Sequence, residues 1–366
     1  YTAENVIIAT GAVPSRPPIK GLELDGVLTS DEILRGCDHV YKSLVIIGGG
    51  VIGVELATFY SEIGTEVTIV EGLDRLLPGM DRELGQSLLA VLKKKGVKVY
   101  TRAMVESIEK SGDSLCVSFR EGGAGQSPAA APESGQEAGL TSVSGEAVLC
   151  AIGRTPFTEG LFADGIEVVM DGRRIAVDQN YETGLEGVYA IGDVSSKIQL
   201  AHAATAQGEA CAAHIAEKMR SGKSAGEEEN PAGSVGSASA GAGPGPIPGC
   251  VYCRPEIMTV GLTEAEAKER GIEVSTAKSV MGANSRTLIA GAERSFMKLV
   301  ADAETGVILG AQFMCTNSTD MAGELTTAIR AGMTAADLLA AVRPHPTFEE
   351  ALSQALEKLV CVCERA

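Results

Sequence analysis

The chain has 366 residues, 45% of them hydrophobic, with 48 acidic against 31 basic side chains and a net charge of −17. That length allows about two or three domains with sizeable cores, and the acidic balance, with no basic run longer than Lys93-Lys94-Lys95, argues against nucleic acid as a partner. No apolar run approaches the roughly 18 residues of a membrane span, no signal segment opens the chain, and nine irregularly spaced cysteines do not form a disulfide framework, so a soluble, cytoplasmic protein is expected.

The chain begins Tyr1-Thr2-Ala3 with no methionine, which reads as a fragment or a processed product. A strand is predicted at Asn5-Val-Ile-Ile-Ala9, running into Thr10-Gly11; the proline-rich stretch through Pro14, Pro17 and Pro18 then reads as the tail of one domain crossing into another. Residues 1–42 are assigned to that partial domain and its crossover. The next element is the most informative. Leu44–Ile47 is a short apolar run suited to a buried parallel strand, and Gly48-x-Gly50-x-x-Gly53 follows it directly and opens a helix. Gly48 suits the tight turn, Gly50 lets backbone approach a pyrophosphate, and Gly53 allows close packing of helix on strand. The helix N-terminus favours the phosphate charge through its free N–H groups. Gly64 ends the helix, Glu66-Val-Thr-Ile-Val70 forms a second strand, and Glu71 follows it. A carboxylate there accepts from a ribose 2′-OH and repels a 2′-phosphate, which favours NAD over NADP.

Further along, Lys94-Lys95-Gly96-Val-Lys-Val-Tyr100 predicts a helix end and a strand, and Ala147-Val-Leu-Cys-Ala-Ile152 a last strand, closing a dinucleotide domain at 43–157. The Gly, Ala, Ser and Pro-rich stretch 121–140 reads as a flexible insertion in a hairpin. Residues 158–220 hold a strand, Gly187-Val-Tyr-Ala-Ile191, ending in Gly192-Asp193, and a helix from about Ala201 to Met219. Residues 221–248 read as a linker that cannot offset the entropy of ordering. From 249 onward, strands such as Phe296-Met-Lys-Leu-Val300 and Val307-Ile-Leu-Gly-Ala-Gln312, with helices at about 318–332, 335–342 and 347–363, predict a separate α+β domain.

Five separated segments then carry a resemblance: Ile7-Ile-Ala-Thr-Gly11, the unit from Gly48 to Glu71, Ala151-Ile-Gly-Arg-Thr-Pro156, Val188-Tyr-Ala-Ile-Gly-Asp193 and Arg343-Pro-His-Pro-Thr-Phe-Glu-Glu350. In order and spacing the chain resembles the pyridine nucleotide-disulfide oxidoreductases, the dihydrolipoyl dehydrogenases among them most closely. Tyr252-Cys-Arg-Pro-Glu-Ile-Met-Thr-Val-Gly261 resembles the start of that family's interface domain. The resemblance implies an α/β fold in which a Rossmann-like NAD domain is inserted in an FAD domain, here partial, and is followed by an α+β dimerisation domain. It also implies a homodimeric flavoenzyme that passes electrons from a dithiol through a redox disulfide and FAD to NAD, with a lipoyl-bearing protein of a 2-oxo acid dehydrogenase or glycine cleavage complex as partner.

Carried over by the resemblance, the NAD contacts are Gly48, Gly50, Val51, Ile52, Gly53, Glu55, Glu71, Ala103 and Gly153, with Glu55 toward the nicotinamide. The FAD contacts are Thr10, Gly11, Ala12, Gly192, Asp193, Leu200, Ala201 and His202. Asp193 would bind the ribityl chain, and the helix start at Leu200-Ala-His202 would bring N–H groups near the flavin ring. His345 is the expected general base toward the dithiol and Glu350 the group that orients it, since a thiolate attacks a disulfide and imidazole titrates near working pH. Thr347-x-x-Glu350 also reads as a capping box opening the last helix. No metal site is expected.

Cys250-Val-Tyr-Cys253 is a C-x-x-C at the start of a predicted strand, without the βαβ context of a redox motif, and reads as ordinary strand residues. Cys361-Val-Cys363 is a second pair; residues two apart on a helix diverge by roughly 200°, so a disulfide between them requires the last turn to unwind, and the alternative is a redox pair such as mercuric and large thioredoxin reductases carry near their C-termini. Phe157 stands where the family often has asparagine. The family's first glycine fingerprint and its C-x-x-x-x-C occur nowhere in these residues. The chain is therefore expected to be the C-terminal portion of a dihydrolipoyl dehydrogenase-like enzyme, inactive alone. The alternatives are a mercuric or glutathione-type reductase, a non-catalytic NAD-binding and dimerisation fragment, or an inactive dimer partner.

Overall fold

A computed structural model gives the fold, describing residues 2–36, 39–122, 139–221, 245–292 and 295–363, the side chains of 362 and 363 excepted. The insertion expected at 121–140 and the linker expected at 221–248 fall almost wholly outside the described residues. The chain divides into two compact units, Tyr1–Val13 with Arg154–Ile247, and Pro14–Gly153 with Pro248–Ala366.

The larger unit is built on a parallel sheet in the order Val27–Thr29, Ala147–Cys150, Ser43–Ile47, Glu66–Val70, Lys98–Tyr100. The central strand is buried along four consecutive residues, and its alternation sorts them between two cores. Leu44 and Ile46 face the helices, together with Val54, Ala57, Leu84 and Leu88. Val45 and Ile47 face an antiparallel sheet of Ala103–Ser111, Ser114–Glu121 and Leu140–Gly145, whose inward residues Leu115, Val117 and Phe119 recur with period two.

The helix Val51–Glu62 follows the glycine turn, and the helix Arg82–Lys94 is capped by Asp81, whose carboxylate accepts from Glu83 N at 2.8 Å. Lys93 and Lys94 in its last turn suit the negative end of the dipole, and Gly96 at φ +89° lets the chain leave.

The second layer of this unit is an antiparallel sheet in the order Gly249–Val251, Ile257–Gly261, Ile308–Met314, Phe296–Asp302, Val274–Val280. The helices Ala322–Arg330, Ala335–Leu339 and Glu350–Cys363 share its core. Val251, Cys253, Ile257, Phe296 and Met314 belong instead to the core between the parallel sheet and its helices, so the two layers share apolar interior. Lys298 Nζ reaches Asp81 at 2.8 Å with both side chains nearly buried, and Lys278 pairs with Glu83.

The smaller unit pairs Val6–Ile8 in parallel with Val188–Ala190 and carries the helix Ala201–Ser221. Ile175, Ala190 and Val194 form its buried core. Among the described residues no helix is long and apolar enough to cross a membrane.

Two domain boundaries differ from the sequence expectation. Val27–Thr29, assigned to the crossover, is an outer strand of the parallel sheet, paired with Val148–Cys150. Arg154–Pro156, assigned to the dinucleotide domain, lies in the smaller unit. The first strand has only three residues, too few for a periodicity signal. Its position was nonetheless marked by Thr29 and Glu32, which form a full capping box at the start of the helix Ser30–Arg35. The last helix starts at Glu350 rather than 347, and the helix expected at 318–332 is a 3-10 turn, Thr319–Met321, followed by Ala322–Arg330.

A Cβ at position 53 would lie 2.0 Å from the carbonyl oxygen of Gly48, a backbone atom held by the turn. Gly53→Ala is therefore expected to cost about 1–3 kcal/mol or more, as overpacking does in a close-packed interior. Thermal unfolding of the variant would check this; an unchanged midpoint would refute the close approach.

Candidate functional site

The three turn glycines have different surroundings. Gly48 has φ +109°, donates to Val70 O at 2.9 Å, and would place a Cβ 2.5 Å from Ala151 O. Gly53 lies instead against the carbonyl of Gly48, where a Cβ would come within 2.0 Å of the oxygen. At Gly50 a Cβ would meet nothing within 4 Å, so its outer face is open to a ligand. The helix that starts there has no side-chain cap, leaving its first N–H groups, including those of Val51 and Ile52, without the partner a capping side chain would supply. An open glycine beside uncapped helix amides fits a pyrophosphate.

Glu71 sits at the end of the second strand and is only 7% exposed. Its Oε2 accepts a short hydrogen bond from Gly49 N, and its Oε1 accepts from Leu73 N at 2.6 Å. Leu77 N donates to Gly49 O at 2.9 Å from the other side. The sequence suggested a carboxylate waiting for ribose; in the structure the same group also braces the glycine turn. Ala103 is buried and its N–H donates to Glu71 O at 2.9 Å. Gly153, at φ +102°, accepts from Ser15 N at 3.0 Å and has open space where a Cβ would stand.

Glu55 lies one turn into the glycine-loop helix, and its carboxylate accepts from Tyr252 N at 2.8 Å, linking the nucleotide fold to the start of the second sheet. Burial pushes its pKa upward and the Tyr252 N–H opposes this. A carboxyl with a raised folded-state pKa weakens the fold as pH rises from the unfolded pKa through the folded one. Glu55→Gln keeps an acceptor for Tyr252 and removes the charge. It should melt higher than the parent at neutral pH, an advantage that vanishes below the ordinary glutamate range. Melting curves across pH check this, and a uniform loss of stability would refute it.

In the smaller unit, Asp193 occupies a 3-10 turn, Gly192–Val194. Burial raises its pKa, opposed by the charge of Arg154. Gly192, at φ +70°, donates to Gln207 Oε1 at 2.8 Å, and Gln207 Nε2 reaches Ser196 Oγ at 3.2 Å. Gln207 is buried and braces the Asp193 turn; sequence reasoning passed over it because a mid-helix glutamine carries no signal of its own. Thr10 Oγ1 donates to Phe157 O at 2.7 Å, Phe157 N to Gly11 O at 2.9 Å, and Arg154 Nη2 to Ala12 O at 2.6 Å. Phe157 thus joins this loop through its backbone. Gly11, at φ +71°, leaves open space where a Cβ would stand, as a cofactor contact requires. Leu200 is half-buried, and Ala201 and His202 are exposed at the start of the long helix.

His345 and Glu350 are together. His345 Nδ1 lies 2.8 Å from Glu350 Oε1, with the imidazole exposed. Glu350 Oε2 accepts from Thr347 N at 2.9 Å, whereas Thr347 Oγ1 donates to Pro344 O at 2.8 Å. Glu350 therefore contacts the histidine with one oxygen and the Thr347 amide with the other, and only this half of the expected capping box forms. The Thr347 N–H, and then the His345 contact, hold the Glu350 carboxyl below the usual range.

The C-x-x-C cysteines stay apart from this chemistry. Cys253 is buried, its Sγ donates to Pro255 O at 3.0 Å, and burial pushes its thiol up to about 12. Cys250, on the strand, is also raised by burial, and both are free thiols. Neither has the depressed pKa of a redox cysteine. Cys361 is exposed and free; the side chain of Cys363 lies outside the described residues. Among the described residues no His, Cys, Asp or Glu group could hold a metal ion.

Two family models match the chain: pyridine nucleotide-disulphide oxidoreductase over residues 1–208, and the dimerisation domain of the same family over residues 247–356. A dihydrolipoyl dehydrogenase of Bacillus subtilis is 35% identical over 364 residues, 98% of this chain and 68% of that protein. One from Geobacillus stearothermophilus is 36% identical over 363 residues, again 98% and 68%. Among solved structures, the Cu(II) complex of the HOCl-induced flavoprotein disulfide reductase RclA from Escherichia coli matches with a TM-score of 0.78 and 25% identity, covering 98% of this chain and 74% of that one.

Proposed function

Because the chain belongs to the pyridine nucleotide-disulphide oxidoreductases, a family of FAD- and NAD-using enzymes with a dimerisation domain, we propose that it serves the reaction of a dihydrolipoyl dehydrogenase. Dihydrolipoamide loses two electrons and two protons, NAD+ takes the equivalent of a hydride, and one proton is released. The observation that carries this reading is the 2.8 Å contact of His345 Nδ1 with Glu350 Oε1, which leaves Nε2 of an exposed imidazole to take a thiol proton.

Gly48, Gly50, Gly53 and the uncapped amides at Val51 and Ile52 would hold the NAD pyrophosphate, and Glu71 the ribose, with Ala103, Glu55 and Gly153 around it. Thr10, Gly11, Ala12, Gly192, Asp193, Leu200, Ala201 and His202 would contact FAD. When bound, FAD supplies the two-electron relay between thiol chemistry and nicotinamide. The partner is a lipoyl-bearing protein, and the active form a homodimer.

One observation favours a second reading, a non-catalytic NAD-binding and dimerisation unit: no C-x-x-x-x-C occurs among the 366 residues. Supplied with FAD and with a polypeptide carrying the family's C-x-x-x-x-C segment, the purified protein should reduce NAD+ with dihydrolipoamide and show no turnover of glutathione disulfide with NADPH. Calorimetric NAD binding without dihydrolipoamide turnover would replace the first reading by the second.

A further inference from the structure

The catalytic loop is gripped from a segment about sixty residues away in sequence. Asn284 is 6% exposed and sits between the second sheet and the short helix Ser285–Ile289. Its Oδ1 accepts from Thr287 N at 2.9 Å and Thr287 Oγ1 at 3.0 Å, and its Nδ2 donates to Thr347 O at 3.0 Å. The two donors on Oδ1 fix the amide orientation, so the NH2 group faces Thr347. Thr347 is thereby held at both ends: its carbonyl by Asn284 and its N–H by Glu350 Oε2. Glu350 Oε1 completes the series at His345.

We infer that Asn284 is a positioning residue for the His345–Glu350 pair, acting through the backbone of Thr347. The function of the pair rests on the reading above, but its geometry does not. Asn284 divides its two roles between its two amide atoms: oxygen caps a helix, nitrogen restrains the loop. Aspartate retains the cap and cannot donate to Thr347 O, so Asn284→Asp separates the roles. Asn284→Ala removes both and introduces no buried charge.

The test uses the full chain labelled with 13C at glutamate carboxyls. In both variants the Glu350 carboxyl should titrate closer to the ordinary glutamate range than in the parent. The Thr347 amide should exchange with solvent about tenfold faster, the change expected for one lost buried hydrogen bond. Ser279→Ala is the control, because Ser279 Oγ donates to Gln354 Oε1 at 2.8 Å on the same last helix and does not touch the loop. It should leave both readouts where they are.

In turnover, both Asn284 variants should lower kcat with dihydrolipoamide and leave the KM for NAD+ unchanged. Parent-like Glu350 titration and Thr347 exchange in both variants would overturn the inference, as would a change in Asn284→Asp alone, which would trace to its charge. If His345→Gln retained full dihydrolipoamide turnover, the functional reading would fail while the titration result stood on its own.

Discussion

Glu71→Arg is expected to weaken NAD binding by roughly 30-fold or more without conferring NADP binding. If the residue only met a ribose, arginine would welcome a 2′-phosphate and exchange one cofactor for the other. In the structure both carboxylate oxygens are engaged by backbone, at Gly49 N and Leu73 N, and the side chain is buried. Arginine has no acceptor and would leave two N–H groups unsatisfied, at about 1–3 kcal/mol each. Since about 1.4 kcal/mol is a factor of ten in affinity, the turn should lose roughly 30-fold or more in NAD binding. Titration calorimetry with NAD+ and NADP+, alongside a melting curve, decides it. A variant with parent-like stability and a gain in NADP+ affinity would show that the brace is dispensable.

The second large effect is at His345 and Glu350, the pair to which the proposed reaction gives proton transfer. His345→Gln should lower dihydrolipoamide turnover by about 10²–10⁴-fold, the usual span for removing a general base. Glu350→Gln should lose less, because one amide oxygen still accepts from either Thr347 N or His345 but not from both. The sign of the pH dependence follows from the Glu350 carboxyl being held below its ordinary range. Its contribution to the loop is present above the unfolded-state pKa and is lost as pH falls through the depressed folded value. Steady-state kinetics from acid to neutral pH should therefore show the parent and Glu350→Gln converging at the acid end. Equal rates at neutral pH would remove Glu350 from any orienting role.

Local sequence made some of this legible and distance hid the rest. The glycine turn could be read because the three glycines recur at fixed spacing directly after a strand that alternates between two buried faces, although only Gly53 answers a constraint close by in sequence, the carbonyl of Gly48. Glu71 was visible as a carboxylate at a strand end, but its bond to Gly49 spans 22 residues and depends on how strand and turn meet. The His345–Glu350 contact was suggested by a short string, since both partners flank one helix start. Asn284 gave no warning: Asn-Ser before an apolar stretch marks a helix cap, and nothing in that pattern points toward Thr347. The antiparallel sheet of Ala103–Ser111, Ser114–Glu121 and Leu140–Gly145 was read only as a hairpin around an insertion, because its third strand, Leu-Thr-Ser-Val-Ser-Gly, is short and weakly apolar and lies beyond the low-complexity stretch. Val27–Thr29 escaped for lack of length.

The shared interior of the nucleotide fold and the second sheet bears on how the protein comes apart. Val251, Cys253, Ile257, Phe296 and Met314 sit in the same core as Leu44 and Ile46, and Lys298 meets Asp81 with both side chains largely buried. Neither fold can open alone without exposing apolar surface of the other and stranding a charge. Their unfolding is thus one cooperative event, and a nucleotide cradle that looks modular in sequence behaves as half of a single thermodynamic unit. Nucleotide bound at the glycine turn would stabilise that whole unit by mass action, so occupancy of the cradle would be felt as protection at the distant Glu350 helix.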